Sequence, residues 1–119
     1  MTDSISLEYL VLRCSNVERS RVFYTALGLV LVPERHGNGA PHFACTLGEF
    51  VLELYPAGDW GPSAVRIGLR VASIEESIAN VRNVGGDVVR VSSDALPRSA
   101  LLRDPDGNDV ALSEPDAPR

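Results

Sequence analysis

Leu12-Arg13-Cys14-Ser15-Asn16-Val17-Glu18-Arg19-Ser20 and Leu69-Arg70-Val71-Ala72-Ser73-Ile74-Glu75-Glu76-Ser77 are two copies of one passage, offset by 57 residues. Leu12 falls on Leu69, Arg13 on Arg70, Val17 on Ile74, Glu18 on Glu75 and Ser20 on Ser77. Further on, Gly28 falls on Gly85. A match that runs through strand end, N-cap, helix and C-cap glycine is an internal repeat. The chain is two modules of one plan.

Working outward, each copy sits in the same order of elements. Leu7 to Cys14 reads as a strand, Asn16 as an N-cap, and Val17 to Leu27 as a helix stopped by Gly28. Leu29 to Glu34 reads as a strand that turns at His36-Gly37-Asn38-Gly39. His42 to Leu47 and Phe50 to Tyr55 follow, hinged at Gly48. After the turn-rich Pro56 to Ser63 the pattern restarts. Val65 to Val71 is the strand, and Ser73 with Glu76 opens a helix as a capping box that ends at Gly85-Gly86. Asp87 to Val91, Ala100 to Arg103 and Val110 to Ser113 complete the second set. Asp104-Pro105-Asp106-Gly107-Asn108 reads as a structural turn, because Gly107 stands at position 4 of a calcium-type loop and Pro115 replaces its closing glutamate. The expectation is one α+β domain over 1–119: module one about 5–56, a connection 57–64, module two about 65–114 and a mobile tail 115–119.

Composition narrows the function. The 119 residues are 45% hydrophobic and 23% charged, as a soluble domain with one core should be. The formal charge is −5 and all eleven cations are arginine, with no basic run, so nucleic acid is not an expected partner. Without lysine there is no Schiff-base or P-loop chemistry. Cys14 and Cys45 lie in apolar runs and fit no zinc or disulfide pattern, which favours buried free thiols. Met1 to Ser6 carries no basic leader, and the apolar run Leu29 to Val32 is too short to cross a bilayer. A cytoplasmic protein that does not bind membranes is expected.

Strand alternation separates two faces. Leu10, Leu12, Leu52, Leu54, Ile67, Leu69, Val110 and Leu112 form an aliphatic face for the helices. The opposite face gathers Tyr9, Arg13, Glu53, Tyr55, Arg66, Arg70, Asp109 and Ser113. Such a face can simply meet water. Its mixture of aromatic, charged and small side chains, and its reliance on arginine, fit a ligand-holding concavity better. The arginines outnumber the acids there, so the global −5 is not the charge of the site.

The two modules, the run Ser15 to Ser20 leading to Phe23-Tyr24 and Leu27-Gly28-Leu29, and Asp104 to Asn108 before the last strand resemble the vicinal oxygen chelate superfamily. That group includes glyoxalase I, bleomycin-resistance proteins and extradiol dioxygenases, and the likeness spans about residues 5–114. It implies a mixed sheet curled into a U-shaped cleft with helices on its outer face. It also implies a homodimer. Enzymes of the superfamily hold a divalent metal through the first and last strands of each module, positions that fall on Tyr9, Glu53, Arg66 and Ala111. Only Glu53 is an ordinary metal ligand, and the fixed cation of Arg66 repels one. The resemblance therefore implies a member without metal or cofactor, of the bleomycin-resistance kind, that sequesters a small organic molecule.

The expected binding residues are Tyr9, Arg13, His42, Glu53, Tyr55, Trp60, Arg66, Arg70, Ala111 and Ser113. Arg66 either forks onto a ligand carboxylate or phosphate or pairs with Glu53. His36 and His42 flank the hairpin and are either solvated or metal nitrogens. Trp60 either caps the cleft or plugs the core edge. Two other functions stay open. One is an enzyme of the superfamily, of lyase, isomerase or dioxygenase type, working through Glu53 with a histidine-built metal site or through Glu53 and Tyr9 alone. The other is an accessory dimerisation module with an empty cleft.

Overall fold

Asn16 and Ser73 start the two helices as their positions in the repeat require. Asn16 Oδ1 accepts from the Arg19 N–H at 3.1 Å, and Ser73 Oγ accepts from the Glu76 N–H at 3.2 Å. The computed structural model describes residues 4–92 and 98–115. In order they form β1 (Tyr9–Cys14), α1 (Val17–Leu27), β2 (Val32–Glu34), β3 (His42–Leu47) and β4 (Phe50–Pro56). A 3₁₀ turn (Gly58–Trp60) leads to β5 (Arg66–Arg70), α2 (Ile74–Asn83), β6 (Asp87–Ser92), β7 (Ser99–Arg103) and β8 (Asp109–Ser113). Among the described residues no helix is long and apolar enough to cross a membrane.

The strands make two four-stranded mixed sheets, β1-β4-β3-β2 and β5-β8-β7-β6. In each, the first strand runs parallel to the last, and the remaining pairs are antiparallel. This is the α+β arrangement of the glyoxalase and bleomycin-resistance fold, with the sheets not closed on each other.

The strand expected over Leu29 to Glu34 is shortened to its last three residues. Gly28 takes φ +113°, the left-handed conformation that ends α1, and Leu29 donates its N–H back to the Tyr24 carbonyl at 3.1 Å. The apolar residue after a capping glycine packs against the helix it ends. Leu29, at 8% exposure, does so, and its hydrophobicity serves the cap rather than a strand.

Both modules share one core. Leu12, Leu52 and Leu54 from the first sheet and Leu102, Val110 and Leu112 from the second meet Phe23, Tyr24, Ile74 and Val81 of the helices in a single buried cluster. Cys14 belongs to it as a free thiol, and burial pushes its pKa up, which disfavours the reactive thiolate. The aliphatic face read from alternation is thus the helix-packed face.

The turn after β7 fastens one module to the other. Asp104, buried, accepts from the N–H groups of Asp106 and Asn108, from Asn108 Nδ2 and from the Tyr24 hydroxyl of α1. Asp106 accepts from the Ser15 N–H, and Asn108 Oδ1 from the Val65 N–H at 2.7 Å. At the end of module two, just before the expected tail, Glu114 accepts from the Ile74 N–H at 2.8 Å and so satisfies a free donor of α2. Residues 116–119 of the expected tail lie outside the described part.

Candidate functional site

The first sheet turns its polar face away from the helices. Parallel pairing sets Val11 beside Glu53 and Arg13 beside Tyr55, while Tyr9 sits beside Val51. Antiparallel pairing sets Ala44 beside Glu53 and Glu34 beside His42. Glu34, His42, Glu53, Tyr55 and Arg13 therefore share one surface.

His42 is the centre of that surface. Its ring stacks on Tyr55, with centroids 4.0 Å apart and planes 11° off parallel. Nδ1 lies 3.0 Å from the Ala40 carbonyl. Nε2 lies 3.3 Å from Glu34 Oε1 and 3.4 Å from Glu53 Oε2. His36 reaches back from the hairpin, its Nε2 3.5 Å from Glu34 Oε1 and its ring 5.1 Å from that of His42. The hairpin histidines are thus not alike: His36 is exposed, and His42 is buried rather than solvated. Burial, then the charges of Glu53 and Glu34, raise the Tyr55 phenol above its usual pKa and keep it a proton donor.

Trp60 does not plug the core. It is 83% exposed, and the Arg13 guanidinium lies 5.4 Å from its ring centroid. The Arg13 N–H is held by Ser63 Oγ at 2.9 Å, which fixes the connection against β1. Indole, guanidinium, phenol and imidazole thus follow one another along the face.

The second sheet is plainer. Gly68 stands beside Ala111, with open space above it, and Arg70 beside Ser113. Arg66 does not pair with Glu53, which belongs to the other sheet and engages His42. Arg66 instead lies 3.8 Å from Asp109, which also receives Arg103 at 3.5 Å. Both arginines are more than half exposed, so the contact leaves Arg66 available. The hollow bounded by Arg66, Arg90, Leu101 and Ala111 measures about 110 Å³. A larger depression, about 480 Å³, lies on the helical side around Val22, Phe23, Gly86 and Asp104.

At the positions where the superfamily's enzymes hold metal, the one ordinary ligand type is Glu53. Tyr9 and Glu53 lie in one sheet, while Arg66 and Ala111 lie in the other and supply a paired cation and a methyl group. Sequence reasoning did not single out Glu34. Its signal is the spacing Glu34-x-His36 ahead of His42 across a glycine turn, which places all three on one side of a hairpin.

The glyoxalase-like domain model matches residues 9–113, and the chain belongs to this family of the vicinal oxygen chelate superfamily. No curated protein matches its sequence. Solved structures share the fold. TnmS3, an antibiotic binding protein from Streptomyces sp. CB03234, superposes with a TM-score of 0.75 at 21% identity over 98% of this chain and 100% of that one. Oxidase ChaP-H2 gives 0.74 at 13% identity, covering 94% of each chain. Lactoylglutathione lyase from Agrobacterium tumefaciens gives 0.66 at 15% identity, covering 95% and 96%.

Proposed function

We propose that the chain is a small-molecule-binding protein of sequestration or resistance type, without the superfamily's metal at the superfamily's positions. The observation that carries this reading is the continuous row of stacking and hydrogen-bonding groups, Trp60, Arg13, Tyr55 and His42, along the first sheet, in a chain with Tyr9, Arg66 and Ala111 at three of the superfamily's four metal positions. Flat rings suit a planar aromatic ligand, and Arg13, Arg66 and Arg70 suit an acidic substituent on it. The fold likeness to an antibiotic binding protein supports the same reading.

The ligand needs more enclosure than one sheet gives. A drug-sized molecule fills a pocket of roughly 300–1,000 Å³, and the hollow on the second sheet is about 110 Å³. A homodimer that sets the first sheet of one chain against the second sheet of its partner supplies the missing wall. It would also cover the exposed apolar side chains Ile5, Leu7 and Tyr9 beside the β1 edge. Buried free thiols at Cys14 and Cys45 suit a reducing cytoplasm.

The test is calorimetric titration of chelator-treated protein with planar aromatic natural products and small carboxylates. Binding that weakens at least tenfold in Tyr55→Ala and Arg66→Ala supports the reading. If no compound binds, the accessory-module reading takes its place. A second reading, an enzyme working through Glu53 with His42 or His36, is favoured by the convergence of those groups, and product analysis of any ligand found separates holding from turnover.

A further inference from the structure

Strand pairing brings Glu34, His42 and Glu53 onto one face of the first sheet, and the hairpin adds His36. One ligand atom from each of Glu34, His36, His42 and Glu53 lies within 4.8 Å of all the others. Three of the separations are 3.3, 3.4 and 3.5 Å. Donors about 2.1 Å from a tetrahedral zinc ion stand about 3.4 Å from one another. These three edges already have that length.

His42 points to what lies between them. Its Nδ1 faces the Ala40 carbonyl at 3.0 Å, which leaves Nε2 as the ring nitrogen directed at Glu34 and Glu53. A histidine that binds metal commonly donates its other ring N–H to a backbone carbonyl, which fixes the tautomer and the ring. Stacking on Tyr55 adds to this, and the His42 side chain is only 1% exposed. Two carboxylate oxygens that face one buried ring nitrogen gather negative charge which a cation among them offsets. Two carboxylates balance the charge of one divalent ion, and two imidazoles select a transition ion over calcium or magnesium.

We propose that Glu34, His36, His42 and Glu53 bind one divalent transition ion of the zinc type. The site takes all its donors from the first sheet and its hairpin, and shares only Glu53 with the four superfamily positions. It needs neither the second module nor a second chain. A bound ion would tie the hairpin, through His36, to β4, through Glu53. The inference is independent of whether the cleft holds or converts an organic ligand.

The test uses full-length protein stripped with a chelator and titrated with zinc chloride alone, with cobalt(II) as a spectroscopic substitute. The expected result is one equivalent bound at micromolar concentration or below, a rise in melting temperature, and intense visible absorption from tetrahedral cobalt. His42→Ala and Glu53→Gln should each weaken zinc binding at least tenfold, in line with the roughly 10–100-fold that outer supporting groups alone contribute. Glu18→Gln, an exposed acid on α1, should change nothing. Because His42→Ala empties a buried position, His36→Ala serves beside it: His36 is exposed, its loss spares the fold, and zinc should still bind more weakly. Absence of stoichiometric uptake overturns the proposal. Uptake indifferent to all three substitutions overturns it equally, as adventitious binding. A protein that takes up zinc but no organic ligand refutes the binding function and not the site.

Discussion

The Tyr24 hydroxyl donates a 2.7 Å hydrogen bond to Asp104 Oδ2, from a helix of the first module to a turn of the second, 80 residues away. Both groups are buried, and Asp104 spends its remaining capacity on its own turn. This bond and the shared core make the two halves of the repeat one body.

Replacing Tyr24 by Phe removes a hydrogen bond to a charged acceptor, worth about 1.5–3 kcal/mol. Chemical denaturation should show a loss of that size. Burial, and then the Asp104 charge, raise the Tyr24 pKa far above its usual value of 10.0. The unfolded chain therefore loses this proton near pH 10 while the folded chain keeps it. Stability is full below that pH and falls as pH rises above it. Tyr24→Phe should flatten the alkaline decline while lowering stability at neutral pH.

Gly85 and Gly86 end α2 for different reasons, and substitution should tell them apart. At Gly85 φ is +77° and a Cβ meets nothing within 4 Å, so Gly85→Ala should cost about 1–2 kcal/mol of backbone strain. At Gly86 a Cβ would stand 2.4 Å from Val81 Cγ1 and 3.3 Å from Phe23 Cδ1. Gly86→Ala should cost about 1–3 kcal/mol through overpacking. Asparagine, which tolerates positive φ, should recover part of the loss at 85 and none at 86. Melting curves of the four variants decide it.

Trp60 is the single tryptophan, and it sits exposed over Arg13. Its fluorescence should report ligand entry as a blue shift on binding. Arg13→Ala should leave stability within about 0.5–1 kcal/mol, the worth of an exposed cation–π contact, yet weaken binding. A variant that binds normally would remove Arg13 from the site.

Some of this was readable from the chain because the signals are local. Asn16, Gly28, Ser73 and Gly85 bound their helices through bonds to residues a few positions away, and alternation assigned Leu52 and Glu53 to opposite faces. What escaped depends on partners distant in sequence. Whether Glu53 would meet Arg66 or His42 is decided by which sheet each strand joins, and the strands join separate sheets. Glu34 looked like a strand terminus, and only the pairing of β2 with β3 sets it against His42. The apolar run after Gly28 reads as strand from its pattern alone, although Leu29 is spent on the helix cap.

The parallel partnership of β1 with β4, repeated by β5 with β8, has a consequence for how the molecule is assembled in time. A strand separated from its partner by a helix and two strands cannot zip from a tight turn; it must wait for a long loop to close. The local pairs are β3 with β4 in the first half and β7 with β8 in the second, and the leading strand of each half adds to them from farther along the chain. Even then the first half retains an unpaired phenol at Tyr24 and a bare helix surface until the turn at Asp104 arrives. The first copy of the plan thus leaves bare a surface and a phenol that only the other copy covers.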